Sequence, residues 1–218
     1  MIINETTKSL EEKVYLTLRE AILTGEYKRG DALTEMSLCK KLEVSRTPVR
    51  SALHKLSEDG LIEIAPNRGA IVVGMNHDDL VDTYKIRMRL EGLAGAMAAE
   101  RMSDEDIEKL GEIIEMSEFY LSKNNVDKIK ELDTEFHLLI YKASGNRMLC
   151  KILSELHRNI HSYRKLALTV PGRLERSIEE HKQIQNAIGD RDAARAEKRT
   201  SHHIENAMHN MIIATKGR

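Results

Sequence analysis

The chain is poor in cysteine and proline, has almost no net charge and contains no long apolar run. Its two cysteines, Cys39 and Cys150, lie far apart in 218 residues, which argues against a disulfide framework and for a reducing, cytoplasmic compartment. The longest apolar stretch, around residues 93–99, is much too short to span a membrane. The opening segment, MIINETTKSLEEK, does not have the form of a signal peptide. We therefore expect no membrane partner.

The charges nearly cancel, with 34 Lys and Arg residues against 35 Asp and Glu residues and a formal net charge of −1. This average alone does not indicate a nucleic-acid binder, although an average can conceal a local basic face. The hydrophobic content of 41% is too high for a disordered chain, and the length fits one or two domains.

The sequence pattern predicts a mainly α protein with one β-hairpin. Only three prolines occur, and β-branched residues cluster only in residues 61–73, where two runs flank the turn sequence Pro66-Asn67-Arg68-Gly69. The three helical segments before this hairpin begin at the capping residues Ser9, Thr34 and Ser45. This order of helices and hairpin is that of a winged helix-turn-helix, which we assign to residues 1–75.

After the hairpin the pattern changes to long helices without a strand. Cap and turn residues separate them, and residues 74–76 form the expected junction. The six helices are expected at about residues 77–101, 103–123, 125–143, 146–168, 171–189 and 190–215. Residues 76–218 are therefore expected to form a separate, all-helical bundle.

The third predicted helix carries a basic face. Arg46 and Arg50 are one turn apart, so both guanidiniums project the same way, whereas Val49 belongs to the opposite, apolar face. An arginine fork can bind a phosphate, or guanine O6 and N7. Between Lys40 and Lys55, five basic residues accompany one acid, a local balance of +4. The alternative interpretation is an ordinary solvated helix face.

Three short motifs in this region form a specific pattern. They are Val44-Ser45-Arg46-Thr47-Pro48-Val49-Arg50, Asp59-Gly60-Leu61-Ile62 and Pro66-Asn67-Arg68-Gly69-Ala70. The pattern resembles the GntR family of bacterial transcription regulators. The resemblance implies DNA contacts from Ser45, Arg46, Thr47 and Arg50, and from Arg68 and Gly69 in the wing. Met36, Glu43 and Ser51 depart from the family pattern, which affects which operator is read.

Eight of the nine histidines lie at or beyond residue 77. Asp133 and His137 are i and i+4 on one predicted helix, His181 falls at a core position, and His203 falls on the inward stripe of the last helix. His202 instead falls on a polar stripe. Three imidazoles and a carboxylate that face inward suit a divalent metal ion, such as Zn, Ni, Cu, Fe or Mn.

Other interpretations of these histidines stay open. Each of them alone is more typical of a hydrogen-bonded core or rim histidine than of a metal ligand. His157 and His161 form a rival i, i+4 pair, but they have no matching carboxylate, so we expect them at a rim or lining a pocket.

A second set of motifs is spread over the helical region. It consists of Arg87 with Leu90-Glu91, Asp133-x-x-Phe136-His137, Gly145-Asn146, Glu180-His181 and His203. These motifs resemble the FCD domain, the helical effector domain of FadR-like GntR regulators. By resemblance, the metal ligands are Asp133, His137, His181 and His203, and a small carboxylate effector binds beside the metal. Arg87 is the matching arginine near that effector; the alternative is an ion pair with Glu91.

Together the patterns predict a homodimeric transcription regulator, a repressor, that binds a double-stranded DNA operator and responds to a small organic acid. The expected cofactor is a divalent metal ion, Zn, Ni or Mn. Two alternatives stay open, a regulator that senses the metal itself and a metal-dependent hydrolase. The hydrolase is disfavoured because no further residue has an evident general-base role, so we expect no enzyme activity.

Overall fold

The computed structural model describes residues 9–65, 69–74, 77–160, 163–164, 167–168 and 170–215. Contacts divide the chain into two compact units, with the boundary between His77 and Asp78. Each unit has its own cluster of buried apolar side chains, so the protein has two separate hydrophobic cores.

The N-terminal unit combines helices with a small antiparallel sheet. The helices are α1 (Leu10–Leu23), α2 (Glu35–Leu42) and α3 (Arg46–Glu58). The strands are β1 (Ala32–Leu33), β2 (Ile62–Ala65) and β3 (Gly69–Val72), in the order β1-β3-β2. The hairpin of β2 and β3 is present as predicted. The sequence does not predict β1, because two residues are too few to show a period.

Capping residues fix where these helices begin. Ser9 Oγ accepts a hydrogen bond from Glu12 N (3.2 Å), and Thr34 Oγ1 accepts one from Ser37 N (3.2 Å). Ser45 occupies the N-cap position of α3, but its hydroxyl makes no capping hydrogen bond within the described residues. The Ser45 side chain therefore stays at the exposed surface.

The C-terminal unit is helical in its described residues, and the protein is of the mainly α class. The helices are α4 (His77–Arg101), α5 (Asp104–Ser122), α6 (Val126–Ala143), α7 (Arg147–Asn159), α8 (Arg173–Gly189) and α9 (Ala193–Thr215). Their apolar faces meet in one core that includes Phe136, Ile140, Leu153, Ile184 and Ala196. None of the helices within the described ranges is long and apolar enough to cross a lipid bilayer.

The helix α7 is shorter than the sequence predicts. One helix is expected over residues 146–168, but α7 ends at Asn159, where Ile160 (φ −107°, ψ 13°) leaves helical geometry. A helical hydrogen bond recurs further on, from Arg164 N to Ile160 O (2.9 Å). Beyond the break, the Arg164 side chain reaches Asp133 of α6, a contact between distant segments that no local pattern reveals.

Small residues bring α4 close to α9. A Cβ atom on Gly95 would lie 2.5 Å from Thr200 Oγ1, so only glycine allows this approach. Ser201 Oγ of α9 donates a hydrogen bond to Met88 O of α4 (3.1 Å). The approach places Arg87 of α4 and the histidine-bearing face of α9 around one cavity.

Candidate functional site

Four side chains from three helices converge inside the C-terminal unit. Asp133 and His137 come from α6, His181 from α8 and His203 from α9, and all four are buried. Each offers one ligand atom, and these atoms all lie within 4.8 Å of one another. The structure thus brings together the four residues that the sequence groups, whereas His202 points to solvent with its side chain 57% exposed.

The rings of His137 and His203 both point their Nε2 atoms into the cluster. Their Nε2 atoms lie 3.2 Å apart, while on the outer side His137 Nδ1 lies 3.0 Å from Glu91 Oε2 and His203 Nδ1 lies 2.6 Å from Glu180 Oε2. A carboxylate at Nδ1 favours the tautomer with the proton on that nitrogen, which leaves Nε2 as the ligand atom. Two Nε2 lone pairs at this distance repel unless a proton or a cation lies between them.

The imidazole of His181 adds a third nitrogen that needs a proton or a cation as a partner. His181 Nε2 is buried without a hydrogen-bond partner among the described residues, and it lies 3.6 Å from Asp133 Oδ1. The ring is held by stacking on Phe136, with centroids 4.0 Å apart. One proton between two rings leaves His181 unsatisfied, whereas a metal ion serves three nitrogens and a carboxylate oxygen together. The donor set therefore fits a divalent metal ion.

Burial sets the protonation of this cluster. Burial, with repulsion from His203, holds the pKa of His181 well below its usual value. Burial also lowers the pKa of His203 to about 4, although the hydrogen bond to Glu180 partly offsets it. Burial alone would raise the pKa of Asp133, but attraction to Arg164, together with smaller contributions from the neighbouring histidines, offsets this effect and the pKa is lowered. These groups therefore have the protonation that metal ligands require at neutral pH.

A small cavity of about 20 Å³ adjoins the cluster, roughly the room that one water molecule needs. Polar atoms that lack hydrogen-bond partners in the described part of the chain surround it: Arg87 Nε and Nη1, Tyr84 Oη and Ser177 Oγ. Buried donors without partners are rare in folded proteins, and they indicate where a polar ligand is accommodated.

Three buried or partly buried ion pairs enclose this cavity. Arg87 Nη2 lies 2.6 Å from Glu91 Oε1, and Arg173 Nη1 donates to both oxygens of Glu180 (2.8 and 2.7 Å). The third pair joins Arg164 to Asp133 Oδ2. Arg87 thus forms the ion pair with Glu91 that the sequence leaves open as the alternative, and it also lines the cavity. Its contact with an effector stays a prediction.

The sequence patterns assign no function to three of these residues, Glu180, Arg173 and Arg164. Glu180 directly precedes His181, and Arg173 lies seven residues before Glu180, two turns along the same face of α8. That spacing is the signal that could have linked the two. For Arg164 there is no such signal, because its partner Asp133 lies 31 residues earlier in the sequence, on α6.

Of the rival pair His157 and His161, the structure describes only His157. His157 is 2% exposed, and its Nδ1 lies 3.3 Å from Tyr141 Oη. Its ring centroid is 5.7 Å from that of His137, so it borders the cluster. His161 lies outside the described residues.

The candidate DNA-binding surface is the outer face of α3. Its exposed residues include Ser45, Arg46, Thr47 and Arg50. The opposite face is buried through Val49, Ala52, Leu53 and Leu56. The predicted division of this helix into a basic and an apolar face is therefore present.

Of the two predicted DNA contacts in the wing, the structure describes only Gly69. Arg68 lies outside the described residues. Gly69 has φ +82°, and a Cβ atom there would lie 2.5 Å from Leu33 O. The fold itself therefore requires glycine at this position, whether or not Gly69 also touches DNA.

A winged helix-turn-helix with an exposed basic helix, joined to a helical unit with a buried ligand cluster, defines a DNA-binding transcription regulator. Residues 10–72 match the model of bacterial regulatory proteins of the gntR family, and residues 82–206 match the FCD domain. The chain belongs to the GntR family of bacterial transcription regulators, in the group that carries an FCD domain, and it is a regulator rather than an enzyme.

Known relatives agree with this assignment. The chain is 32% identical over 171 residues to YdhC of Bacillus subtilis (strain 168), an uncharacterized HTH-type transcriptional regulator, covering 78% of this chain and 76% of the relative. It is 25% identical over 199 residues to the HTH-type transcriptional repressor RspR of Escherichia coli (strain K12), covering 91% and 87%. The solved structure of E. coli McbR/YncC has a TM-score of 0.73 and 25% identity, covering 95% of this chain and 98% of that one.

Proposed function

We propose that this protein is a homodimeric repressor whose affinity for its DNA operator is controlled by a small carboxylate bound beside a divalent metal ion, Zn, Ni or Mn. The observation that carries the proposal is the convergence of the four ligand atoms, with donors beside them that lack partners among the described residues. The ligand atoms belong to Asp133, His137, His181 and His203, and Arg87 is among the donors.

The charges around the cluster favour an anionic effector. Three ion pairs cancel internally: Arg87–Glu91, Arg164–Asp133 and Arg173–Glu180. A divalent ion adds two positive charges to this buried site, and uncompensated buried charge is costly. A carboxylate effector offsets that charge, and the unpartnered Nε and Nη1 of Arg87 are donors of the kind that bind carboxylate oxygens.

Effector binding would have to move side chains, because the cavity has room for about one water molecule. Arg164 is one side chain whose movement would open the site, since it lines the cavity and pairs with Asp133. A ligand controls DNA affinity only through different affinities for two arrangements of the protein. Displacement of Arg164 from Asp133 supplies such a pair of arrangements.

On the DNA side we propose contacts from Ser45, Arg46, Thr47 and Arg50 of α3, with Arg68 and Gly69 in the wing. A helix of this kind enters the major groove by its N-terminal residues, and a homodimer reads two half-sites related by two-fold symmetry. Repression is supported by RspR, which is named as a repressor. A bacterial operator lies in the cytoplasm, where we expect the protein to act.

Operator retention tests the proposal. The full chain selects its operator from fragmented genomic DNA, and retention is measured with a panel of carboxylic acids, with and without a chelator. We expect one acid to change operator affinity about tenfold in the metal-loaded protein and to have no effect after chelation. Affinity that follows the metal alone would instead favour a metal sensor, and affinity that follows neither would overturn the proposal.

Histidine variants provide the matched controls for that experiment. His181→Ala combined with His203→Ala should abolish metal binding and the response to the acid, because two ligands are lost. His202→Ala should preserve both, because the side chain faces solvent. Metal analysis by inductively coupled plasma spectrometry checks the first point, and the reverse result would contradict the assignment of the ligands.

A further inference from the structure

The guanidinium of Arg50 is held by an acidic residue of another helix. Arg50 Nε donates to Glu35 Oε1 (2.8 Å), and Arg50 Nη2 donates to Glu35 Oε2 (2.9 Å). This bidentate pairing lowers the pKa of Glu35 through the hydrogen bonds from Arg50. Arg50 belongs to the candidate DNA-binding surface, and this ion pair constrains the orientation of its guanidinium before any DNA is bound.

The pairing uses one edge of the guanidinium and leaves another available. Arginine has five N–H groups, and Glu35 accepts from Nε–H and from one N–H of Nη2. The remaining N–H groups of Nη1 and Nη2 form the end of the fork, two donors side by side. This end matches guanine O6 and N7, the acceptor pair that arginine reads in the major groove.

The position of Glu35 is fixed by its neighbours. Glu35 is the first residue of α2, and Thr34 caps that helix. Leu33 is buried and pairs with Ala70 of β3. The Glu35 side chain is 31% exposed against 61% for Arg50, so the acid is the more restrained partner and holds the arginine, rather than the reverse.

We propose that Glu35 is a positioning residue for base recognition, which presents the end of the Arg50 guanidinium to a guanine in each half-site. The inference rests on the proposed contact of Arg50 with DNA. Glu35 also places a negative charge next to the phosphates, so it lowers affinity for DNA of any sequence while it raises the preference for the correct one.

A second ion pair in the same unit provides a matched control. Lys41 Nζ donates to Glu26 Oε1 (2.6 Å), and the two side chains are 53% and 57% exposed. Among the residues that the structure describes, Glu26 pairs with Lys41 of α2 and not with a residue of α3. Glu26→Gln removes the same charge as Glu35→Gln without changing the orientation of Arg50.

The experiment selects double-stranded DNA from a random pool with the full-length wild type, Glu35→Gln, Glu26→Gln and Arg50→Ala. Base preferences are read at every position, and circular dichroism verifies that each variant is folded. We expect Glu35→Gln to reduce the guanine preference at one symmetric position by at least about fivefold, to leave the other positions unchanged and to bind non-cognate DNA at least as well as the wild type. Glu26→Gln should keep the wild-type preferences.

The outcomes separate this inference from the proposed function. If Arg50→Ala changes no base preference, the assignment of the recognition helix fails, and this inference fails with it. If Arg50→Ala removes a guanine preference that Glu35→Gln retains, only the positioning role is overturned. A uniform loss across all positions in Glu35→Gln would also overturn it, because that result indicates a merely structural role.

Discussion

Two carboxylates outside the proposed set of metal ligands orient the imidazoles of that set. Glu91 lies at Nδ1 of His137 and Glu180 at Nδ1 of His203. Each carboxylate pairs in turn with an arginine, so the acids stay ionised although they are buried. Burial would raise the pKa of Glu180, but hydrogen bonds from His203 and attraction to Arg173 lower it to about 2.

We expect Glu180→Gln to weaken metal binding by about 10–100-fold, the usual cost of removing such an outer partner of a ligating histidine. The amide loses the charge that fixes the His203 tautomer and leaves Arg173 without its counter-ion. Competition with a calibrated chelator measures the affinity. Glu179→Gln, at the exposed neighbouring position, is the control; equal affinities in the two variants would contradict the role of Glu180.

Much of this residue-scale picture follows from the sequence, but not all of it. Helical phase alone selects His203 over His202, because a side chain's face is fixed by its position in the 3.6-residue turn. The role of Glu180 cannot be derived in this way. It depends on how α8 packs against α9, and packing between helices is decided by contacts that are distant in the sequence.

At the scale of elements, the β-hairpin depends on one glycine for its geometry. Gly69 pairs with Ala65 and starts β3, its φ is +82°, and its Cα lies against the backbone of Leu33. The same contact joins the hairpin to β1, and through β1 to the start of α2. The wing and Glu35 are therefore parts of one connected backbone arrangement.

Gly69→Ala should destabilise the protein more than Gly60→Ala. Both residues have positive φ, which costs a residue with a Cβ atom about 1–2 kcal/mol. Gly60 has open space around it, whereas at Gly69 the new Cβ atom would lie 2.5 Å from Leu33 O and the strand must shift. Chemical denaturation of the full chain measures the free energy of unfolding. Equal losses would show that the sheet adapts freely.

The elements themselves are mostly predictable from local signals. The capping residues Ser9, Thr34 and Ser103 mark helix starts because each side chain accepts a hydrogen bond from a backbone N–H group in the first turn. Two features escape such signals. β1 is a two-residue strand, and α7 ends at Asn159 without a glycine or proline, so both are decided by tertiary contacts.

At the scale of the whole molecule, the internal pairing of charge predicts that folding does not depend on the proposed metal ion. The three ion pairs around the cluster are complete within the chain, and a continuous apolar core surrounds them. This differs from small zinc domains, in which metal binding supplies the free energy of folding.

Removal of the metal should therefore loosen the protein without unfolding it. Chelation should lower the thermal midpoint by about 5–10 °C relative to protein with metal at about 100 times its Kd, because a ligand stabilises the form that binds it. The helical circular dichroism signal at 25 °C should not change. The His181→Ala, His203→Ala protein should show no shift, and loss of helix on chelation would contradict the expectation.

The size of the cavity beside the cluster also affects how fast an effector can bind and leave. A site with room for about one water molecule would admit the proposed acid only while neighbouring side chains are displaced, and the acid would leave by the same route. Association that needs such a rearrangement is slower than diffusion allows. Once bound, the acid is retained until the next opening. Transcription would therefore follow the concentration of the metabolite averaged over the residence time, and brief fluctuations would pass without a response.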